Sequence, residues 1–129
     1  MQEEVKAWLR FAEDDLKLAK LAHKERIYHL SCFHAQQCVE KSIKALFYFY
    51  DEVPPRTHSI AKLISLLPAE HPFVNKDIFL KFDIYYIPTR YPDTLPGMLP
   101  EGLPGREDSE EAIKLAEALF NKISEFIGL

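Results

Sequence analysis

From Ile27 to Tyr50 the chain contains neither proline nor glycine, and apolar side chains recur at Tyr28, Cys32, Ala35, Val39, Ile43, Leu46 and Tyr50. Steps of three and four place these residues on one stripe of an α-helix, which must find neighbours to bury it. A second line runs opposite: Leu30, Phe33, Gln37, Lys41, Lys44 and Tyr48, with Glu40 beside it. A helix apolar on two flanks is predicted to lie at the centre of a bundle or against a second subunit. This one segment decides much of the fold.

The remaining elements are read by the same periodicity. Residues 3–23 carry Val5, Trp8, Ala12, Leu16, Ala19 and Ala22 on one stripe. Pro54-Pro55 stops the second helix, and Thr57 or Ser59 is placed to cap a short third one bearing Ile60, Leu63, Ile64 and Leu67. Val74, Ile78, Phe82 and Tyr85 define a fourth helix ending near Tyr86. Asp108, with Glu111 three residues on, resembles a capping box opening a last helix, with Ala112, Ala116, Leu119, Ile123 and Phe126 inward and Gly128 at its end. Residues 87–108 differ in kind. Pro88, Pro92, Pro96, Pro100 and Pro104 alternate there with Gly97, Gly102 and Gly105, which excludes a helix and predicts a long loop. With no strand pattern, the expected fold is all-α. It is one domain over 1–129, an up-and-down antiparallel helical bundle of four long helices plus one short helix.

A chain of 129 residues, 47% hydrophobic and 28% charged, can bury a core without disulfides or metals. No apolar run approaches the roughly 20 residues that cross a bilayer, and Met1-Gln2-Glu3-Glu4 lacks the basic and apolar regions of a secretory signal. No membrane association is expected. Cys32 and Cys38 fall on different sides of one helix, so they are not expected to pair. All this fits a cytoplasmic protein. The net charge of −4 is local, because residues 107–125 set six carboxylates against Lys114 and Lys122. The rest of the chain is neutral, so a polyanion would need a local basic cluster.

Three segments invite a functional reading. Gln37, Lys41 and Lys44 interrupt the second flank of the long helix. Either Glu40 and Lys44 form a local i,i+4 pair, or the group is a polar pocket at a dimer interface, open to an anion through Lys41 and Lys44. Arg56-Thr57-His58-Ser59 precedes a helix, either as an ordinary N-cap or as a phosphate site in which free N–H groups are joined by Arg56 and His58. Arg90-Tyr91-Pro92 opens the proline-rich loop, with Arg beside Tyr suited to pairing a phosphate and stacking a base, or to pinning the loop. His29, Cys32, His34 and Cys38 lie close in sequence but lack a zinc-ligand spacing, so no metal and no cofactor is expected.

The run from Ala35 to Leu46, Ala-Gln-Gln-Cys-Val-Glu-Lys-Ser-Ile-Lys-Ala-Leu, resembles the second-helix signature of HEPN domains. Asp15-Leu16 with Ala19, Thr57-His58-Ser59 and Arg90-Tyr91-Pro92 agree with that layout. The resemblance implies a helical bundle, commonly a homodimer. It also implies a nucleotide- or RNA-associated role, in many members as the toxin half beside a minimal nucleotidyltransferase. Several branches are metal-independent ribonucleases that use an Arg followed four to six residues later by a His. No Arg in this chain has a His at that offset, so the family's usual acid–base group is missing.

The favoured expectation is a non-catalytic module binding a nucleotide, RNA or its nucleotidyltransferase partner through Gln37, Lys41, Lys44, His58, Arg90 and Tyr91. A metal-independent ribonuclease toxin using His58 and Arg90 is the alternative, and a structural dimerisation module is the third reading. By analogy with the family, Tyr85, Tyr86 or Tyr91 would be the residue that a partner enzyme nucleotidylates.

Overall fold

A computed structural model describes residues 2–85 and 103–128 of the chain. Helix α1 spans Gln2–Lys24, with Glu3 and Glu4 in its first turn and His23 and Lys24 in its last, each matched to the helix dipole. Helix α2 spans Tyr28–Phe49, α3 Ile60–Ser65, α4 Lys76–Phe79, and α5 Arg106–Ile127. Between α4 and α5 a 3₁₀ helix, Leu80–Tyr85, continues α4 without a break. The fourth helix expected from Val74 to Tyr86 is therefore one α turn capped by Asn75 followed by a tighter 3₁₀ turn. Among the described residues there is no strand.

Side-chain pairs fix the directions. Trp8 stacks on Tyr48, Asp15 meets Lys41, and Ser31 donates to the Ala19 carbonyl at 2.8 Å, so α1 and α2 are antiparallel. Lys20 meets Glu117 and His23 meets Ser109, which sets α5 antiparallel to α1. His71 lies against Phe126 at one end of the bundle, whereas Lys81 meets Glu111 towards the start of α5. The segment 76–85 therefore climbs back along the bundle, giving the expected up-and-down course.

The core explains why α2 is apolar nearly all round. Cys32, Ala35, Cys38, Val39, Ile43, Ala45, Leu46 and Phe47 are all buried within one chain, between α1, α5 and the shorter elements. Ile60, Leu63, Phe82, Leu119 and Ile123 close the same core. Both cysteines are buried and free, and burial pushes each thiol up to about 12, so they behave as small core residues rather than nucleophiles.

Both ends of the α1–α2 hairpin are closed by the same hydrogen-bond pattern. After α1, Ile27 N–H donates to the Ala22 carbonyl and Arg26 N–H to His23, with Arg26 at φ 62°. After α2, Glu52 N–H donates to Phe47 and Asp51 N–H to Tyr48, with Asp51 at φ 59°. This left-handed position is usually glycine, and Asp tolerates it better than Arg. One expected cap is corrected: α5 opens a turn earlier than Asp108 suggested. Asp108 instead reaches back as its third residue, accepting from Gly105 N–H at 2.8 Å.

Candidate functional site

The residues that interrupt the second flank of α2 are not turned to solvent. They form two clusters, each built on a buried carboxylate. Glu40, its side chain only 3% exposed, accepts from the Lys44 ammonium at 2.9 Å, one helical turn on. His58, from the irregular segment after α2, brings Nδ1 to 3.1 and 3.3 Å from the two oxygens of the same carboxylate. Gln36, fully buried, donates to Glu40 at 3.3 Å and to the His58 carbonyl at 3.2 Å, so the segment carrying His58 is tied down by backbone as well as by side chain. Gln37 donates to the Gln36 amide oxygen at 2.6 Å. The Lys44 ammonium also sits 5.5 Å from the centre of the Trp8 ring, which stacks on Tyr48.

The second cluster lies between α1 and α2. Asp15, also buried, accepts from Lys41 at 2.5 Å and from His34 Nδ1 at 2.9 Å. Each buried carboxylate thus holds one lysine and one histidine. A buried charge without such partners would be costly, and these pairings are what make the polar interruption tolerable. They also mean that Lys41 and Lys44 each face a carboxylate, and the local pair expected for Glu40 and Lys44 is present.

Chemically, the outstanding group is His58. Its side chain is 52% exposed while its Nδ1 is held by a carboxylate that is not. Donation of Nδ1–H to Glu40 fixes the ring orientation: with a lone pair on Nε2 the ring accepts or relays a proton, and with a proton on Nε2 as well it donates to a phosphate. His34 is held the same way by Asp15, at about half that exposure.

Of the two readings of Arg56-Thr57-His58-Ser59, the start of α3 shows the ordinary N-cap. Ser59 caps the helix by accepting from Lys62 N–H, and the Asp83 carboxylate takes the Ile60 and Ala61 N–H groups together with the Ser59 hydroxyl. A carboxylate 22 to 24 residues away in sequence already occupies that helix end. Tyr85 is corrected as a modification target, because it is buried, next to Cys32, and burial raises its hydroxyl well above the ordinary tyrosine range. Arg90 and Tyr91, and likewise Tyr86, lie outside the described residues.

Sequence reasoning missed Asp15, Gln36 and Asp83 as organising groups. Asp15 had a signal, since it falls inside the apolar stripe of α1 between Ala12 and Ala19 and demands a cation opposite. Among the described residues, no three His, Cys, Asp or Glu side chains gather where they could share a metal ion, and no helix is long and apolar enough to cross a membrane.

Comparison with known proteins agrees with this architecture. A protein of Methanocaldococcus jannaschii named "Putative toxin MJ1304" is 30% identical, the match covering 95% of this chain and 87% of that protein. The crystal structure of ST0689, an archaeal HEPN homologue, superposes with a TM-score of 0.73 at 32% identity, covering 95% of this chain and 97% of the other. TT1696 from Thermus thermophilus gives a TM-score of 0.71 at 30% identity, covering 94% of this chain and 96% of the other. The model of the HEPN domain matches residues 5–126, and the chain belongs to the HEPN domain family.

Proposed function

We propose that this chain is a non-catalytic HEPN module that binds a nucleotide or RNA and acts as the toxin-like half beside a minimal nucleotidyltransferase. The observation that carries this reading is the Glu40 cluster. It joins Lys44, Gln36, Gln37 and the half-exposed His58 in one hydrogen-bonded network at the surface of a rigid bundle. His58 and Gln37 are the contact groups, and Lys44 and Lys41 tune the field behind them. The relative named as a toxin supports the biological setting. Arg90 and Tyr91 would complete the site from the proline-rich loop.

A homodimer fits the surface. Phe11 and Leu18 flank Asp15 on α1, Leu30 precedes His34 on α2, and all three are exposed. Sedimentation of the wild type and of Phe11→Glu tests this, a dimer that the variant converts to monomer being the expected result.

The test of the main reading is titration with a labelled nucleotide and with a short RNA. Binding should weaken with salt and fall at least ten-fold in His58→Ala, whereas unchanged affinity in that variant would remove His58 from the site. Co-purification with a nucleotidyltransferase encoded alongside tests the partner.

One observation favours a second reading. An imidazole oriented through Nδ1 by a buried carboxylate is what proton transfer requires, so a metal-independent ribonuclease centred on His58 is the alternative. RNA cleavage that survives EDTA and is lost in His58→Ala would replace the first reading with this one.

A further inference from the structure

Where α1 turns into α2, the start of α5 lies alongside, and a cavity of about 220 Å³ opens between them, lined by His23, Lys24, Arg26, Tyr28 and Arg106. Its charge is one-sided, with three cations and no carboxylate in the lining. Glu110, just outside it, meets Arg106 at 3.0 Å and His23 Nε2 at 4.0 Å. Among the described residues, the Lys24 and Arg26 side chains have no hydrogen-bond or ion-pair partner. Three cations in so small a space repel one another, and an anion between them would relieve that repulsion.

The corner is also held in shape. Ser109 donates its hydroxyl to the Arg106 carbonyl at 3.0 Å and so accepts from His23 Nδ1, which fixes the His23 ring. Tyr28 lies 5.6 Å from that ring, tilted by 59°. Two helices start here: α2, whose Ile27 cap supplies no side-chain hydrogen bond, and α5 at Arg106. The positive ends of these two dipoles face the corner together with the negative end of α1, which closes at Lys24, so the side chains supply most of its positive potential. Arg26 holds a left-handed backbone at φ 62°, a conformation that favours glycine, while its side chain lines the cavity. A larger groove of about 480 Å³ shares His23 and continues between α1 and α5 past Glu110, Lys114 and the Lys20–Glu117 pair, so its charges are mixed.

We propose that this corner binds the phosphoryl group of a phosphate ester. Lys24, Arg26 and Arg106 meet its oxygens, Tyr28 offers its ring to the remainder, and the groove takes what lies beyond. The site stands apart from the Glu40 cluster. Tyr28 and Glu40 are twelve residues apart on α2, about 18 Å at 1.5 Å per residue, so one small ligand does not reach both and either site can fail without the other.

The test follows backbone amides of Lys24–Tyr28 and Arg106 by NMR in the full chain, titrated with 5′-AMP, with adenosine and with a 5′-phosphorylated RNA hexamer. AMP should shift these amides saturably and adenosine should not. Arg26→Gly should weaken binding at least five-fold with an unchanged or higher Tm, because glycine adopts the required backbone freely. Arg106→Gln should weaken it as well, and His58→Ala should leave it unchanged. A hexamer at least ten-fold tighter than AMP, with the same Arg26 dependence, assigns the phosphate to an RNA end, and equal affinity assigns it to a free nucleotide. The proposal is overturned if neither ligand gives a saturable shift here, if Arg26→Gly and Arg106→Gln leave affinity unchanged, or if His58→Ala abolishes the effect.

Discussion

Glu40 and Asp15 are the same chemical device used at two depths. Each is a buried carboxylate holding a lysine and a histidine, yet what they hold together differs. Asp15 joins groups 19 and 26 residues away, all on the α1–α2 hairpin, and so ties the register of one helix to the other. Glu40 pairs locally with Lys44 and then reaches His58 on a segment that has no regular structure of its own. The first carboxylate positions a helix. The second positions a functional side chain. Their lysines differ too, since the Lys44 side chain is 11% exposed and that of Lys41 is 26%.

Removing each carboxylate charge in turn sharpens the contrast. Glu40→Gln leaves the Lys44 ammonium buried beside a neutral amide, and the loss of a partner in such a pair costs about 3–5 kcal/mol. Urea denaturation should show a loss of that size, with His58 released as a second consequence visible in its proton-exchange and chemical-shift behaviour. Asp15→Asn is expected to cost less, about 1.5–3 kcal/mol, because Lys41 can turn towards water and only charge-assisted hydrogen bonds are lost. Equal losses in the two variants would break the distinction between a deep anchor and a register clamp. So would an undisturbed His58 in Glu40→Gln.

The same contrast shows how far the sequence could be read. Helical periodicity located α1, α2 and α5, and the two apolar flanks of α2 announced burial on both sides, at the centre of the bundle or against a second subunit. That reading works because burial and the 3.6-residue repeat are written in neighbouring positions. The local Glu40–Lys44 pair was legible for the same reason, being one turn apart. His58 on Glu40 and Asp83 on the start of α3 were not, since they join residues 18 to 24 positions apart across irregular chain, where spacing carries no geometric information. Asp15 stood between these cases: a carboxylate inside an apolar stripe announces a missing cation, but not that Lys41 and His34 supply it. The 3₁₀ character of 80–85 likewise left no mark in the residue pattern.

A third histidine supplies the control that both clusters need, and the smallest effect. Where His34 and His58 donate to carboxylates, His71 Nε2 meets the Tyr50 hydroxyl at 2.7 Å as acceptor, and its ring packs on Phe73 and Phe126. Burial alone holds its pKa below the ordinary 6.5. Below pH 6.5 the unfolded chain therefore takes up a proton that the folded chain resists, and this contribution to stability is full above 6.5 and declines as the pH falls below it. A protonated ring would also lose the lone pair that Tyr50 bonds. Denaturation midpoints measured from about pH 7.5 to 5 should fall, and fall less steeply in His71→Gln, while His34→Gln should not remove that part of the slope. An identical slope in wild type and His71→Gln would mean that the acid sensitivity belongs elsewhere, and that aromatic burial without a carboxylate does not set this histidine apart from the other two.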